Sequence, residues 1–362
     1  MTISKVDLYK RQTTLPEIGE KGQIKLQEAG VVVIGCGGLG GSVAVHLAAS
    51  GIGHIHLIDY DEIAISNLHR QVFYKLSDVG EKKSKTLAAY LKEISPFVRV
   101  SWEDQPIRKS TIDEQLKDYP MMIDCTDSLI TKYLLNDYCV INDKMLIYGS
   151  LYKHDGYVSS FNLKQGQKRS ANMRDAFPEI PKKSIPNCSE IGTLNPIVGI
   201  IAMFQANEVI KILLGIGKPL FDRVLIYNSM QNSQYSMKLT PKVFKEEIKG
   251  IFKSEQYVDS RCEIHNVELL ISSDTLKTRL KEVEIVSIID NSNTQIPFQV
   301  NQYIPYSKFD LEQLKVPKDK DLVVVCNKGI SSYEIVLKIR SAYPDRPVFS
   351  LSGGIEKFQN IS

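Results

Sequence analysis

The chain has 362 residues, with 45 Lys and Arg against 42 Asp and Glu and a formal charge of +3. That near-balance excludes nucleic acid and an anionic membrane as partners recognised by bulk charge, while 43% hydrophobic residues suffice for a full core. The six cysteines (Cys36, Cys125, Cys139, Cys188, Cys262 and Cys326) form no C-x-x-C pair, which excludes a tetrathiolate zinc site and a dense disulfide framework.

The start, MTISKVDLYK, lacks the apolar run of a secretory signal, so a cytoplasmic, thiol-reducing location is expected. Val31–Gly35 is a β-branched strand pattern, and Gly38–Ser50 is small, apolar and helix-compatible. His54–Asp59 alternates as a strand, Glu81–Ile94 has a helical period, and Phe97–Trp102 is again strand-like. Met121–Asp124, Leu129–Ile141 and Met145–Tyr148 repeat the strand, helix, strand order, which predicts βαβ units and a parallel sheet. Gly156–Leu163 and Arg223–Leu239 read as antiparallel strands. The long apolar stretch Pro196–Leu214 is interrupted by Gln205, Asn207, Glu208 and Lys211, which predicts a buried helix rather than a membrane span. Residues 241–264 are polar and lysine-rich and read as a linker. A second α/β unit follows: helices at Val267–Leu280 and Ser331–Ala342, strands at Glu284–Ile289, Leu322–Cys326 and Val348–Leu351.

Gly35-Cys36-Gly37-Gly38-Leu39-Gly40 directly follows the first strand. Such glycines let the backbone turn tightly and approach a phosphate, while the next helix aims its N–H groups at the anion. Asp59 ends the next strand, where an acid commonly binds ribose hydroxyls. Alone, this says nucleotide and favours a dinucleotide; glycines used only for packing are the bland reading. Asn67, Arg70, Gln71 and Lys83 then shift the balance toward ATP, because an enzyme acting on a triphosphate must neutralise charge. Asp124-Cys125-Thr126-Asp127 ends a further strand, where a carboxylate can hold Mg²⁺. A solvated surface pair is the alternative for Arg70 and Lys83, and a helix N-cap the alternative for Asp127. His54 and His56 share a strand face without a third ligand and read as structural or surface residues; His69 reads as packing, with a nucleotide contact as the alternative.

The runs GVVVIGCGGLGG, LIDYDEIAISNLHRQVFY, DVGEKKSK, MIDCTDS and NCSEIGTLNPIVGIIAMFQANEVIKILLGIGKPL occur in one order. Together they resemble the MoeB/ThiF family, relatives of the ubiquitin-activating enzymes, over roughly residues 5–240. The resemblance implies an α/β fold with a doubly wound, mainly parallel Rossmann-like sheet and an antiparallel extension, as an adenylation domain over 1–240. It implies ATP held by Gly35, Gly37, Gly38, Gly40, Asp59, Asp61, Asn67, Arg70 and Lys83, and Mg²⁺ on Asp127. It implies Arg11 reaching a neighbouring subunit's site, hence a homodimer. The implied substrate is a small ubiquitin-like carrier ending in Gly-Gly, whose carboxylate attacks the α-phosphate. Cys188, in Ile185-Pro186-Asn187-Cys188-Ser189, falls where the family can place a thioester or sulfur-relay cysteine; a cysteine without a chemical role is the alternative. Lys182 and Lys183 beside it read as a solvated loop or a contact for an acidic carrier face.

Two features depart from the family. Relatives hold a structural zinc with two C-x-x-C pairs, but Asn172 and Asp175 stand at the first pair's place and TPKVFKEE supplies no cysteine for the second. No zinc is expected, and packing of Phe177 and Pro178 is expected to hold that loop. Ser128 also replaces the usual asparagine after Asp127. Over 265–362, Cys326-Asn327-Lys328-Gly329-Ile330-Ser331-Ser332 between strand and helix, with Ile288-Ile289-Asp290 and Leu351-Ser352-Gly353-Gly354-Ile355, resembles a rhodanese domain. Its usual arginine is Ser331, its Asp-x-Arg is Asp290-Asn291-Ser292, and its last helix is short. Two readings stand: Cys326 as a persulfide carrier fed by a sulfur donor, or a degenerate docking domain. The expected function is adenylylation, then thiocarboxylation, of a sulfur carrier for molybdopterin or thiamine synthesis. The alternatives are an adenylyltransferase for another peptide, a nicotinamide oxidoreductase, or a non-catalytic scaffold.

Overall fold

The computed structural model describes residues 4–180, 192–255, 257, 267–290, 294–317, 319–327 and 329–359. Cys188, Lys182, Lys183, Cys262, Lys328, Asn291 and Ser292 lie outside the described residues. The chain forms two compact units, Met1–Tyr257 and Val258–Ser362.

In the first unit, β1 (Gly30–Ile34), β2 (His54–Ile58), β3 (Arg99–Glu103), β4 (Met121–Asp124) and β5 (Met145–Tyr152) are parallel. β6 (Asp155–Phe161) turns back antiparallel, a small ribbon of β7 (Lys164–Gln165) and β8 (Lys168–Arg169) follows, and β9 (Arg223–Asn228) and β10 (Ser233–Lys238) complete the extension. The order across the sheet is β10-β9-β6-β5-β4-β1-β2-β3. The chain therefore leaves β1 toward β2 and later returns to its other side as β4. Ligands sit at the carboxyl ends of strands at such a switch point, because diverging loops open a crevice there.

The period-2 alternation of β1 explains the two layers. Val31 and Val33 join one core with Leu47 and Ile201; Val32 and Ile34 join another with Tyr133 and Leu135. The helix Asn195–Leu214 is long and apolar enough to cross a membrane, yet it packs on the helix Gly38–Ala49 and on β5 and β6. Its buried polar groups are used internally: Gln205 donates to the carbonyls of Asp124 and Ile147, and Glu208 accepts from Ser160 and Leu220 N–H. Such pairing is what a buried polar group requires. His54 and His56 both bond Ser101 at 2.8 Å, with burial holding both below the usual imidazole value, as structural residues should.

The stretch read as a linker contains a helix, Lys245–Ser254, that packs Ile248 fully buried against the helix Leu129–Ile141. Its apolar residues Ile248, Ile251 and Phe252 fall at helical spacing among lysines, so average polarity hid a one-sided helix.

The loop around Asn172 and Asp175, where the resemblance implied a zinc site, is closed by hydrogen bonds. Asp175 accepts from the Lys242 and Val243 N–H groups at 2.6 and 2.8 Å, and Asn172 Nδ2 donates to the Val243 carbonyl at 2.9 Å and to Asp175. With an amide and one already engaged carboxylate, and no thiolate, these residues do not fit zinc. Packing of Phe177 is not what holds the loop: its side chain is exposed, and the loop is anchored by its carbonyls instead. Tyr133 donates to the Phe177 carbonyl and Arg174 to that of Pro178. Arg174 also forks onto the fully buried Asp137, which accepts from the Tyr257 hydroxyl as well.

The second unit is a five-stranded parallel sheet, in the order β11 (Leu270–Ile271), β15 (Val348–Leu351), β14 (Asp321–Val325), β12 (Val283–Ser287) and β13 (Gln302–Tyr303). The helix expected over Val267–Leu280 is confined to Ser273–Arg279. Leu270 and Ile271 instead pair with Ser350 and Leu351 at the sheet edge, and Ser272 caps the shortened helix.

Candidate active site

The glycine loop leaves β1 at the switch point. Gly35 has φ +90°, and a Cβ there would meet the Cys125 carbonyl at 2.8 Å. A Cβ on Gly40 would lie 1.7 Å from the Gly35 carbonyl, so the first turn of the following helix closes on the loop only with glycine. Tyr74 donates to the Cys36 carbonyl at 2.7 Å and to the Lys83 carbonyl at 3.2 Å, tying the loop to the next helix.

Asp59 follows β2 and is buried. Its carboxylate accepts the N–H of Cys36 at 2.6 Å and of Asp61 at 2.8 Å, so it also braces the loop. Burial pushes its pKa up to about 6, against the pull of the Lys83 ammonium. Lys83 opens the helix Lys83–Ile94 and is itself buried, with Nζ 2.7 Å from Asp61. Burial pulls Lys83 down, but Asp59, Asp61 and Asp127 outweigh it and hold the ammonium above its ordinary value. Lys83 is therefore charged at neutral pH, and Asp127 lies near enough to feel it.

Asp127 stands exposed after β4. It is not the cap of the following helix, because Ser128 fills that role by accepting from Thr131 N–H at 3.1 Å. The replacement of asparagine by Ser128 thus supplies a good N-cap. Asp124, fully buried, accepts from Thr126 N–H and Oγ1 and from Lys132 Nζ at 3.1 Å. Lys132 also donates to the Gly149 carbonyl at 2.7 Å. Burial depresses Lys132, but Asp124 and Tyr148 hold it charged. A buried ion pair of this kind stabilises little by itself, but its geometry fixes the turn that presents Asp127. Lys132 was not legible as a site residue; its one signal is a cation inside the otherwise apolar run LITKYLLNDYCVI.

The crossover after β2 packs on the glycine loop, with the Arg70 carbonyl facing Gly38 and the Gln71 amide against Gly37. Asn67 accepts from Ala64 N–H, closing a turn, and Arg70 donates to the Ser66 carbonyl. His69 bonds the same carbonyl. Gln71 is buried, yet its Oε1 has no hydrogen-bond partner among the described residues. An orphaned buried acceptor beside a phosphate-type loop fits a bound polar ligand. The structure thus gathers Gly35, Gly37, Gly38, Gly40, Asp59, Asp61, Lys83 and Asp127, with Asn67 and Arg70 on the adjoining crossover.

Arg11 does not join them. It is exposed on the helix Lys5–Thr13, where Gln12 donates to the Ser50 carbonyl, at the far end of the helix that starts at the glycine loop. Twelve helical residues separate those ends by about 18 Å.

In the second unit, Cys326 follows β14 and is buried. Its Sγ accepts from the N–H groups of Gly329 at 3.1 Å and Ser332 at 3.4 Å, and lies 3.2 Å from Ser332 Oγ. The helix Ile330–Ala342 thus opens directly over the sulfur, an arrangement that complements negative charge. Ser331, a neutral side chain where the resemblance implied an arginine, stands in the first turn of that helix.

The profile of the ThiF family matches residues 9–247. A sulfur carrier protein adenylyltransferase of Thermus thermophilus is 38% identical over 237 residues, covering 64% of this chain and 86% of its own. The probable adenylyltransferase/sulfurtransferase MoeZ of Mycobacterium tuberculosis is 30% identical over 358 residues, 96% of this chain and 91% of its own, so the likeness runs through both units. Among solved structures, E. coli MccB with ATP superimposes with a TM-score of 0.56 at 26% identity, covering 65% of this chain and 72% of that one. With its glycine loop, switch-point acids and buried lysine in this arrangement, the chain belongs to the ThiF family.

Proposed function

We propose that this enzyme is an ATP-dependent adenylyltransferase acting on the C-terminal carboxylate of a small ubiquitin-like carrier, and that its second unit delivers sulfur to the product. The observation that carries the reading is the convergence of the glycine loop, Lys83 and Asp127 beside the orphaned Gln71 acceptor. Asp59 and Asp61 take the ribose, and Asn67, Arg70 and Lys83 take the phosphates. Arg11 serves the site of a second copy in a homodimer, in keeping with its distance from its own loop. Asp127 would hold Mg²⁺, which when bound neutralises phosphate charge. A flexible Gly-Gly tail threads to the α-phosphorus, its carboxylate oxygen forms the new P–O bond, and pyrophosphate leaves. No general base is required, because the carboxylate is already ionised at neutral pH. The protein contributes position and charge neutralisation. Sulfur carried as a persulfide on Cys326 then attacks the acyl carbon and AMP leaves; an external thiol opens the resulting acyl disulfide to release the thiocarboxylate. Cys188 is a further thiol for this relay. A cytoplasmic, thiol-reducing location suits both thiol steps.

The test is carrier-dependent ATP–pyrophosphate exchange. Asp127→Ala lowers it by at least about 10²-fold, the usual effect of losing one key charge-stabilising group. Unchanged exchange overturns the metal role. Cys326→Ala leaves exchange intact and abolishes thiocarboxylate formation; loss of both refutes the division of labour between the units.

Ser331 in the arginine's place favours a second reading, in which the enzyme adenylates another peptide and the second unit only docks it. Exchange driven by a short peptide but not by a Gly-Gly carrier would select it.

A further inference from the structure

Behind Cys326 runs a buried chain of hydroxyls that the sulfur chemistry above does not use. Ser332 Oγ lies 3.2 Å from Cys326 Sγ and 2.8 Å from Ser350 Oγ, and Ser350 donates to the Gly329 carbonyl at 3.4 Å. Ser332 and Ser350 are both fully buried, so solvent cannot complete their bonding. A carbonyl only accepts, which fixes the polarity of the row as drawn. Ser350 gives its hydrogen to Gly329, Ser332 gives its own to Ser350, and Cys326 must then be the donor to Ser332. That pattern suits a protonated sulfur. A sulfur anion has no hydrogen to give, and the row must reverse. Ser350 then donates to Ser332, Ser332 donates to sulfur, and only the long Ser350–Gly329 link is lost.

We propose that Ser332 is the positioning residue of the sulfur site, its hydroxyl turning from Ser350 to the Cys326 sulfur when that sulfur becomes anionic, with Ser350 as the rotor that backs it. The two N–H donors from Gly329 and Ser332 serve the sulfur in both states, so the third donor is the one that distinguishes them. A hydrogen bond to a charged sulfur is worth more than one between neutral groups. The other titratable groups facing this end of the sheet among the described residues are Tyr306, which donates to Glu334, and Asp290, which accepts from Ser307. The relevance of the device to sulfur transfer rests on the function proposed above; its existence does not.

The row predicts shifts of opposite sign. Ser332→Ala removes the donor to the anion. Ser350→Ala takes two links from the protonated form and only one from the anion, so it favours the anion. The test is the rate of Cys326 alkylation by iodoacetamide across pH in the full-length protein, read by mass spectrometry of the Cys326 peptide. At neutral pH Ser332→Ala should react about tenfold more slowly, the factor set by about 1.4 kcal/mol. Ser350→Ala should react faster than wild type. Shifts in the same direction, or no shift in either, overturn the proposal, since a merely structural role moves both alike. If Ser332→Ala does not fold, Ser350→Ala decides alone: acceleration supports the row, and no change or slowing refutes it. Opposite shifts alongside absent thiocarboxylate formation would sink the sulfur-delivery reading and leave the hydroxyl row standing.

Discussion

Asp59→Asn offers a quantitative test of the nucleotide site, because the buried carboxyl carries its own pH signature. Its ordinary value is 3.8 and burial raises it to about 6. The native state therefore holds this proton more tightly than the unfolded chain. The stabilisation is fully present below the unfolded value near 4 and is lost as pH rises through about 6. A rise of that size corresponds to about 3 kcal/mol. Asparagine keeps the shape and one acceptor but cannot ionise. The difference in unfolding free energy between wild type and Asp59→Asn should move by about 2–2.5 kcal/mol in favour of the variant from pH 4 to pH 7. Titrating groups remote from Asp59 cancel in that difference, while Lys83 and Asp61, which interact with it, do not. Trp102, the chain's one tryptophan, lies on β3 and reports unfolding of the first unit in urea by fluorescence. Parallel stability curves for the two proteins, or a variant that gains at acid pH, would refute the burial argument.

Two further outcomes follow from the polar knots of the first unit. Arg174→Met leaves the buried Asp137 without its guanidinium and should lower unfolding free energy by about 3–5 kcal/mol; pairing it with Asp137→Asn should recover most of that loss. Equal losses in the single and double variants would contradict this. Asp175→Ala should lower stability by about 1–3 kcal/mol by freeing three backbone donors, while a chelator leaves the melting temperature of the wild type unchanged. A chelator-induced drop would show that metal, not hydrogen bonding, holds the loop.

The sequence told most where chemistry is local. The glycine spacing after β1 and the acid after β2 identify a nucleotide loop because a tight turn, a close backbone approach and a strand end all fall within a few residues. The unbroken β-branched run of β1 suits a sheet covered on both faces, and the change to antiparallel strands is legible after Tyr148. The linker reading failed because averaging over lysines conceals three apolar residues on one helical face. The shortened helix after Val267 failed because Leu270 and Ile271 match a helix pattern and an edge strand equally well.

What the sequence alone determined, then, is the order of elements and the residue types delivered to the carboxyl edge of the sheet. Only the tertiary structure decided that Lys83 is buried among three acids, that Lys132 braces the turn before Asp127, and that Asn172 and Asp175 grip residues 242–243 through hydrogen bonds. The same holds for Ser332 meeting Ser350 behind Cys326. Lys132 and Asp124 stand 8 residues apart and the other partners lie farther along the chain, and all of these contacts depend on packing. Burial, which sets the strength of every one of these contacts, is a property of the packed fold and not of any local run of residues.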